Sequence, residues 1–258
     1  MHDFSLLSPS SIVRGGPKSG HSFLSIAINP DKYLRYLDTR ARGLGARTIV
    51  AELPATTPFI NIVATALASL RANDSQDSGF REKVIVVNCT GISASTICAD
   101  ESVFPIRGQT ALVRITPPPP TPRVILHDTT PVTYIVPRPL TSFSCSPSSS
   151  TYLFGGTNDA DDWNPEPAPG ITENIVERCK RLMRGWADNN AQVEVLREQV
   201  GLRPGRKCGV RIEVEEVNLG TGEEEKVQVV HQYGHAGAGF QCSIGSAMKV
   251  LGIIESLI

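Results

Sequence analysis

The sequence predicts a mixed α/β (α+β) chain, built partly on a parallel sheet and partly on an antiparallel one. Three observations carry this prediction. Lys83-Val-Ile-Val-Val-Asn88 is a short run without a polar face, the pattern of a strand covered on both sides in the middle of a parallel sheet. Arg107 to Tyr152 alternates brief β-rich runs with proline-rich joints, the texture of an antiparallel sheet and of a second domain. Ile171 to Trp186 and Phe240 to Ile254 place apolar residues at helical spacing.

In chain order, Met1 to Ser22 is rich in Ser, Gly and Pro and lacks periodicity, so it reads as a tail. Phe23 to Ile28 has strand character. Asn29 followed by Pro30 is a favoured N-cap and first-turn pair, and the helix it opens runs to about Arg42, where Gly43 and Gly45 end it. Arg47 to Leu53 reads as a strand, Pro58 to Ala72 as a helical or irregular insertion, and Asn73 to Gly79 as a polar loop. Ala111–Ile115, Val124–Leu126, Val132–Val136 and Thr151–Phe154 supply the antiparallel strands, and Pro117 to Pro122 is a semi-rigid joint. Ile171, Ile175, Cys179, Leu182 and Trp186 form one helix face. Gln192–Val200 and Val210–Val217 are strands, and Asn218 to Gly222 is a hairpin turn into Lys226–His231. Gly234 to Gly239 is a glycine-rich loop, and Phe240, Ile244, Met248, Leu251 and Ile254 are expected as the buried stripe of a final helix.

The 258 residues carry 25 Lys+Arg against 26 Asp+Glu, a net charge of -1. That balance argues against a phosphate-driven nucleic-acid binder. The six cysteines show no CxxC pairing, which speaks against structural zinc and for reduced intracellular thiols. Ile244 to Ile258 is interrupted by Ser246, Lys249 and Glu255, so no spanning segment and no membrane partner are expected. The first thirty residues lack the apolar centre of a signal peptide. The terminal Glu-Ser-Leu-Ile is not the Ser-Lys-Leu address.

Two segments suggest a site. Val229-Val-His-Gln-Tyr-Gly-His-Ala-Gly-Ala-Gly239, followed by Gly245-Ser-Ala247, reads as a strand entering a loop of small residues that opens a helix. Small residues let the backbone approach a ligand, and a helix N-terminus favours negative charge. In Gly201-Leu-Arg-Pro-Gly-Arg206 the proline drives Arg203 towards extended geometry, fixing the base of a side chain suited to a two-pronged grip on a carboxylate. A solvated surface arginine is the plain alternative. Tyr134, in Tyr134-Ile-Val-Pro-Arg138, could present a hydroxyl to a pocket or pack in a core.

These pieces, with Asn88-Cys-Thr-Gly91, Arg107-Gly-Gln109, Tyr134-Ile-Val-Pro137, Gly155-Gly-Thr157, Asp162-Trp-Asn164, Gly201-Leu-Arg-Pro204 and the His231 to Ala247 signature, resemble in this order the D-amino-acid oxidase family of flavoenzymes. Gln232 departs from the family's Asn, His or Ala. The resemblance implies FAD as cofactor and a D-amino acid and molecular oxygen as small-molecule partners, with a homodimer as the assembly. It implies that the α-hydrogen leaves as hydride to the flavin, that oxygen reoxidises the flavin to give hydrogen peroxide, and that the imine hydrolyses to a 2-oxo acid and ammonia. By the same resemblance Arg203 binds the substrate carboxylate, Tyr134 adds a hydroxyl, and the Gly237 carbonyl holds the amine. Thr90 lies in the FAD site, and Gly237, Ala238, Gly239, Phe240 and Gln241 face the flavin. No catalytic side-chain base is implied, because the cofactor carries the redox step. His231 and His235 are given packing and hydrogen-bonding roles, and Arg206 is read as lying outside the pocket. There is no tyrosine between Arg107 and Pro131, so the family's lid tyrosine is altered or its role lost.

The family's opening Gly-x-Gly-x-x-Gly turn has no counterpart. Gly15-Gly16 with Gly20 has the wrong spacing, and Gly43-Leu-Gly45 ends a helix. The chain is therefore expected to be a truncated member lacking the first βαβ unit. It should leave Val84–Val87 at an unpaired edge and hold FAD weakly or not at all. The expected organisation is a tail (1–22), a partial Rossmann-like FAD-binding domain with the first substrate-domain strand (23–97), an antiparallel-sheet substrate-binding domain (98–207) and a return to the FAD-binding domain (208–258). The expected function is oxidative deamination of D-amino acids in an intracellular, peroxisomal or cytoplasmic, setting. A catalytically inactive pseudoenzyme or binding module, and a glycine or D-aspartate oxidase, are the alternatives.

Overall fold

The computed structural model describes residues 2–8, 19–54, 57–72, 84–128, 130–138, 150–220 and 226–258. The expected loop Asn73–Gly79, Lys83, Gly15-Gly16, Cys145 and the tip of the 218–222 turn lie outside these residues. Contacts divide the chain into two compact units, Met1–Leu37 with Arg107–Gly201 and Asp38–Ile106 with Leu202–Ile258.

The first strands are β1 (His2–Leu6) and β2 (His21–Leu24), an antiparallel pair with Ser5 opposite Ser22. The segment expected as a tail thus contains a strand, although its described side chains are exposed. The expected strand Phe23–Ile28 shifts to β2, and residues 25–29 are irregular. Helix α1 (Pro30–Gly43) begins as predicted: the Lys32 N–H donates to Asn29 Oδ1 at 3.4 Å and the Tyr33 N–H to the Asn29 carbonyl at 2.9 Å. Gly45, at φ +94, lies just past its end, where only glycine adopts that backbone without strain. Arg47–Leu53 is not a strand. Val50 in this segment is 97% exposed, and the segment finds no sheet partner among the described residues.

In the second unit, α2 (Phe59–Ala72) precedes β3 (Ile85–Asn88), a short 3₁₀ turn at Gly91–Ser93 and α3 (Ala94–Ile97). Strand β4 (Val103–Thr116) follows and runs on into the first unit. The first unit adds β5 (Ile125–His127), β6 (Thr133–Pro137), β7 (Ser150–Gly155), β8 (Asp159–Ala160) and α4 (Pro169–Leu182). Strand β9 (Gln192–Arg206) pairs with β4 in a six-stranded sheet of order β5-β6-β7-β4-β8, with β9 off that path. The predicted antiparallel strands are all present. Ala111, Val113 and Ile115 alternate onto one face, opposite Phe154, Tyr152 and Ser150 in register. There they meet Ile175 and Cys179 of α4 and, beyond its end, Trp186, so the helix face read from the sequence is buried although the helix stops at Leu182 and not at Trp186. Tyr152 and Trp186 pack edge to face at 5.5 Å, and the Trp186 indole N–H donates to the Thr121 carbonyl at 2.8 Å.

The second unit closes with β10 (Arg211–Asn218), β11 (Lys226–Tyr233) and α5 (Ser243–Leu257). Its three-stranded sheet has the order β10-β11-β3; β10 is antiparallel to β11, and β3 is parallel to it. Strand β3 has the apolar pattern of a mid-sheet strand, yet, as expected for Val84–Val87, it is the edge of this sheet among the described residues, and Val87 is exposed. Val63 and Leu67 of α2 pack on Val217, Val227 and Val229. The stripe expected to be buried on α5 is also corrected: Phe240, Ile244, Met248 and Leu251 are exposed, and Ser246 and Val250 are the buried positions. The helix is apolar on two faces, and it docks by the one that carries Ser246, whose hydroxyl is 2.8 Å from His235 Nε2. No helix among the described residues is long and apolar enough to cross a membrane.

Candidate functional site

Strands β3 and β11 run parallel, with Gln228, Val229, Val230 and His231 in register with Ile85, Val86, Val87 and Asn88. Both strands therefore end at the same edge. From that edge emerge Cys89-Thr90-Gly91, a landmark of the resemblance, and the loop Gly234–Gln241, which the sequence singled out. Ligand sites in α/β sheets gather at this carboxyl edge, where loops replace side-chain packing. Gly91 has φ +61 and Gly234 φ +88, so both turns use backbone space that side chains rarely enter. A Cβ on Gly234 would also sit 2.9 Å from the Arg206 Cβ.

The Thr90 hydroxyl is buried and has no hydrogen-bond partner among the described residues. Leaving such a group unsatisfied costs about 1–3 kcal/mol, a cost that a ligand atom at this position would offset. Gly237, Gly239, Phe240 and Gln241 are exposed and Ala238 is half-buried. Gly237 begins no regular element; it lies in a 3₁₀ turn spanning Ala236–Ala238. A Cβ built on Gly237 would lie 3.6 Å from Arg203 Cδ, so the predicted carboxylate anchor and the predicted amine acceptor are neighbours. Arg203 lies within β9, as extended as Pro204 requires, and its Nη1 reaches the Ile106 carbonyl at 3.5 Å. The extended geometry expected at Arg203 is thus met by a strand that runs on past the expected Gln192–Val200, which holds the arginine more firmly than a loop does.

Sequence reasoning missed the cluster that fixes this strand and loop. The Asp100 carboxylate accepts from Arg206 Nε at 2.9 Å and from the Tyr233 hydroxyl at 2.9 Å through one oxygen. Its other oxygen accepts from the Ser102 N–H at 3.1 Å and the Ser102 hydroxyl. Arg211 donates to the Tyr233 hydroxyl at 2.8 Å. Burial alone would raise the Asp100 pKa, but the hydrogen bonds from Ser102, Arg206 and Tyr233 outweigh it and hold the carboxyl below its ordinary range. Burial pushes the Tyr233 hydroxyl up to about 12. Arg206 is therefore a structural clamp three residues beyond Arg203. The signal was weak in the sequence, because Asp100 follows a short helix and Arg206 looks like one more surface cation.

In the first unit, Tyr134 lies on β6 opposite Gly155. Its ring covers the Gly155-Gly156 backbone so closely that a Cβ on Gly155 would fall 2.1 Å from Tyr134 Cζ. The tyrosine is half-buried rather than a core residue. Arg178 of α4 donates to the Val132 carbonyl at 2.7 Å and to the Gly156 carbonyl at 3.2 Å, bracing both flanks of that contact. The landmark Arg107-Gly-Gln109 meets Asp162-Trp-Asn164: buried Arg107 donates to the Asn164 and Glu166 carbonyls at 2.8 and 2.7 Å. The Gln109 N–H donates to the Thr157 hydroxyl at 3.0 Å, tying in the third landmark. Among the described residues no group of three or more His, Cys, Asp or Glu is placed to hold a metal ion, and five cysteines are free.

Arg203 and the exposed Gly237 backbone are thus neighbours, and the buried Thr90 hydroxyl lies at the carboxyl edge from which the Gly237 loop emerges. A family model described as "DAO: FAD dependent oxidoreductase" matches residues 6–251. The chain is 34% identical over 238 residues to a D-amino-acid oxidase of Rubrobacter xylanophilus, covering 90% of this chain and 58% of that relative. It is 27% identical over 242 residues to a D-aspartate oxidase of Homo sapiens, covering 93% and 58%. Glycine oxidase from Bacillus cereus aligns with a TM-score of 0.48 and 19% identity, over 67% of this chain and 43% of that one. The chain spans a little over half the length of these two curated relatives. Matched along nearly all of its length, it belongs to the DAO family of FAD-dependent oxidoreductases.

Proposed function

We propose that the protein carries out FAD-dependent oxidative deamination of a D-amino acid to a 2-oxo acid, ammonia and hydrogen peroxide. The observation that carries this reading is the placement of Arg203 against Gly237, on the loop that shares a sheet edge with the orphaned Thr90 hydroxyl. Arg203 would take the substrate carboxylate through two charge-assisted hydrogen bonds, and the Gly237 carbonyl would accept from the substrate amine, which reacts in its neutral form so that the nitrogen lone pair forms the imine as the α-hydrogen leaves as hydride. Tyr134 would add its hydroxyl to the carboxylate. Two fixed anchors, one for the carboxylate and one for the amine, leave one enantiomer with its α-hydrogen aimed at the cofactor. Thr90 and the Gly237–Gln241 segment would hold the flavin. When bound, FAD supplies the acceptor for the α-hydrogen and passes the electrons to molecular oxygen, so no side-chain base is needed. Residues 98–207 serve as the substrate-binding domain in this reading, and 23–97 with 208–258 as the flavin-binding one. A homodimer and a peroxisomal or cytoplasmic location complete it.

Oxygen uptake and peroxide release with saturating FAD test the proposal. D-alanine should support both, and L-alanine neither. Turnover of D-aspartate or glycine alone would move the assignment to those oxidases. No turnover of any of the three would leave the inactive binding-module reading.

A further inference from the structure

The strongest unassigned feature is a buried hydrogen-bond chain that ends on Thr90. The Thr90 N–H donates to Asn88 Oδ1 at 3.1 Å. Asn88 Nδ2 lies 3.0 Å from His231 Nδ1, and His231 Nε2 lies 3.0 Å from Glu215 Oε2. Asn88 is 6% exposed and His231 not at all. The ends of this chain fix its polarity. A backbone N–H can only donate, and an ionised carboxylate can only accept. His231 must therefore carry its proton on Nε2, for Glu215, and present a bare Nδ1 to the Asn88 NH₂. That in turn turns the Asn88 oxygen to Thr90. The amide nitrogen also lies 3.0 Å from Cys98 Sγ, which reinforces the same orientation.

Resting on the flavoenzyme reading for its ligand, the geometry points to Asn88 as a positioning residue of the cofactor site: it holds Thr90 in place only while His231 is neutral. A second proton on His231 would set an N–H against the Asn88 NH₂. Relief requires the Asn88 amide to flip, and the flip takes away the acceptor of the Thr90 N–H. The turn that presents the Thr90 hydroxyl then loses its anchor.

The groups around the imidazole set where this happens. Glu215, Glu213 and Arg211 face it from β10, and Asn88 from β3 with Cys98 beyond it. The Tyr233 ring lies edge-on at 5.8 Å on β11, and α2 contributes the Phe59 ring at 5.6 Å. Burial, with Arg211, holds the His231 pKa below its ordinary 6.5, and Glu215 and Glu213 oppose them. The neutral, locking form is thus the one present at neutral pH, and the lock opens in acid.

The test follows the Thr90 backbone amide and the His231 ring by NMR in the FAD-free protein, then the dissociation constant for FAD by flavin fluorescence at pH 7.5 and 5.5. The Thr90 amide should titrate with the same midpoint as His231, and FAD should bind at least fivefold more weakly in acid. In Asn88→Asp, Thr90 keeps a carboxylate acceptor whatever the charge on His231. Its amide should therefore cease to follow the ring, and FAD affinity should lose most of its dependence on pH. A wild-type Thr90 amide that ignores the His231 titration overturns the relay. If the amide follows His231 but FAD binds at neither pH, the relay stands and the flavoenzyme reading falls.

Discussion

Arg203→Ala should lower kcat/KM for a D-amino acid by at least about a hundredfold in the FAD-loaded protein, with FAD affinity nearly unchanged. The carboxylate would lose two charge-assisted hydrogen bonds, each worth about 1.5–3 kcal/mol. Because these bonds orient the substrate as well as hold it, turnover should fall along with the rise in KM. Arg203→Lys should also fail, since one ammonium cannot reproduce the planar fork. The side chain rises from a strand and not from a turn, so neighbours have little freedom to compensate. Unchanged kinetics in Arg203→Ala would place the carboxylate anchor elsewhere.

Asp100→Ala should be the most damaging single change to the second unit, costing about 3 kcal/mol of stability, the usual scale for removing one partner of a buried ion pair. Asp100 and Arg206 side chains are only 11% and 17% exposed, and Tyr233 loses an acceptor as well. The pH dependence has a definite sign. The folded carboxyl titrates below its ordinary 3.8, so its contribution is complete above that value and is lost as pH falls through the depressed pKa. In urea unfolding, the gap between parent and Asp100→Asn should be wide at pH 7 and should narrow below about pH 4. A gap that stays constant down to pH 3 would mean that charge plays no part in the clamp.

Much of the antiparallel unit was legible from the sequence, because each strand there alternates and each has a neighbour to bury against. Ile175 and Cys179 declared the buried face of α4, since only one of its faces is apolar. Helix α5 misled because two of its faces are apolar, and Ser246, a polar residue, marks the one that docks. Arg47–Leu53 failed for a different reason: a β-branched apolar run such as Ile49-Val50 favours a strand locally but cannot supply the partner it must pair with. At the site, Arg203, Gly237 and Thr90 could be proposed from motif and resemblance. Their support could not, since Asp100 lies more than a hundred positions from both Arg206 and Tyr233 and meets them only through the fold. Asn88 stood in plain view beside Thr90, yet its amide acquires a role only when β3 and β11 align it with His231.

The most direct measurement of the central claim is Thr90→Val, read twice. Among the described residues the buried hydroxyl has no partner, so its removal should stabilise the FAD-free chain, by about 1 kcal/mol, because an unsatisfied buried group is costly. The same removal should weaken FAD binding by roughly five- to tenfold, the worth of one hydrogen bond to the ligand. A higher Tm without FAD together with a higher Kd for FAD is the result predicted here. A Thr90→Val protein that binds FAD as tightly as its parent would contradict the assignment of this sheet edge to the flavin.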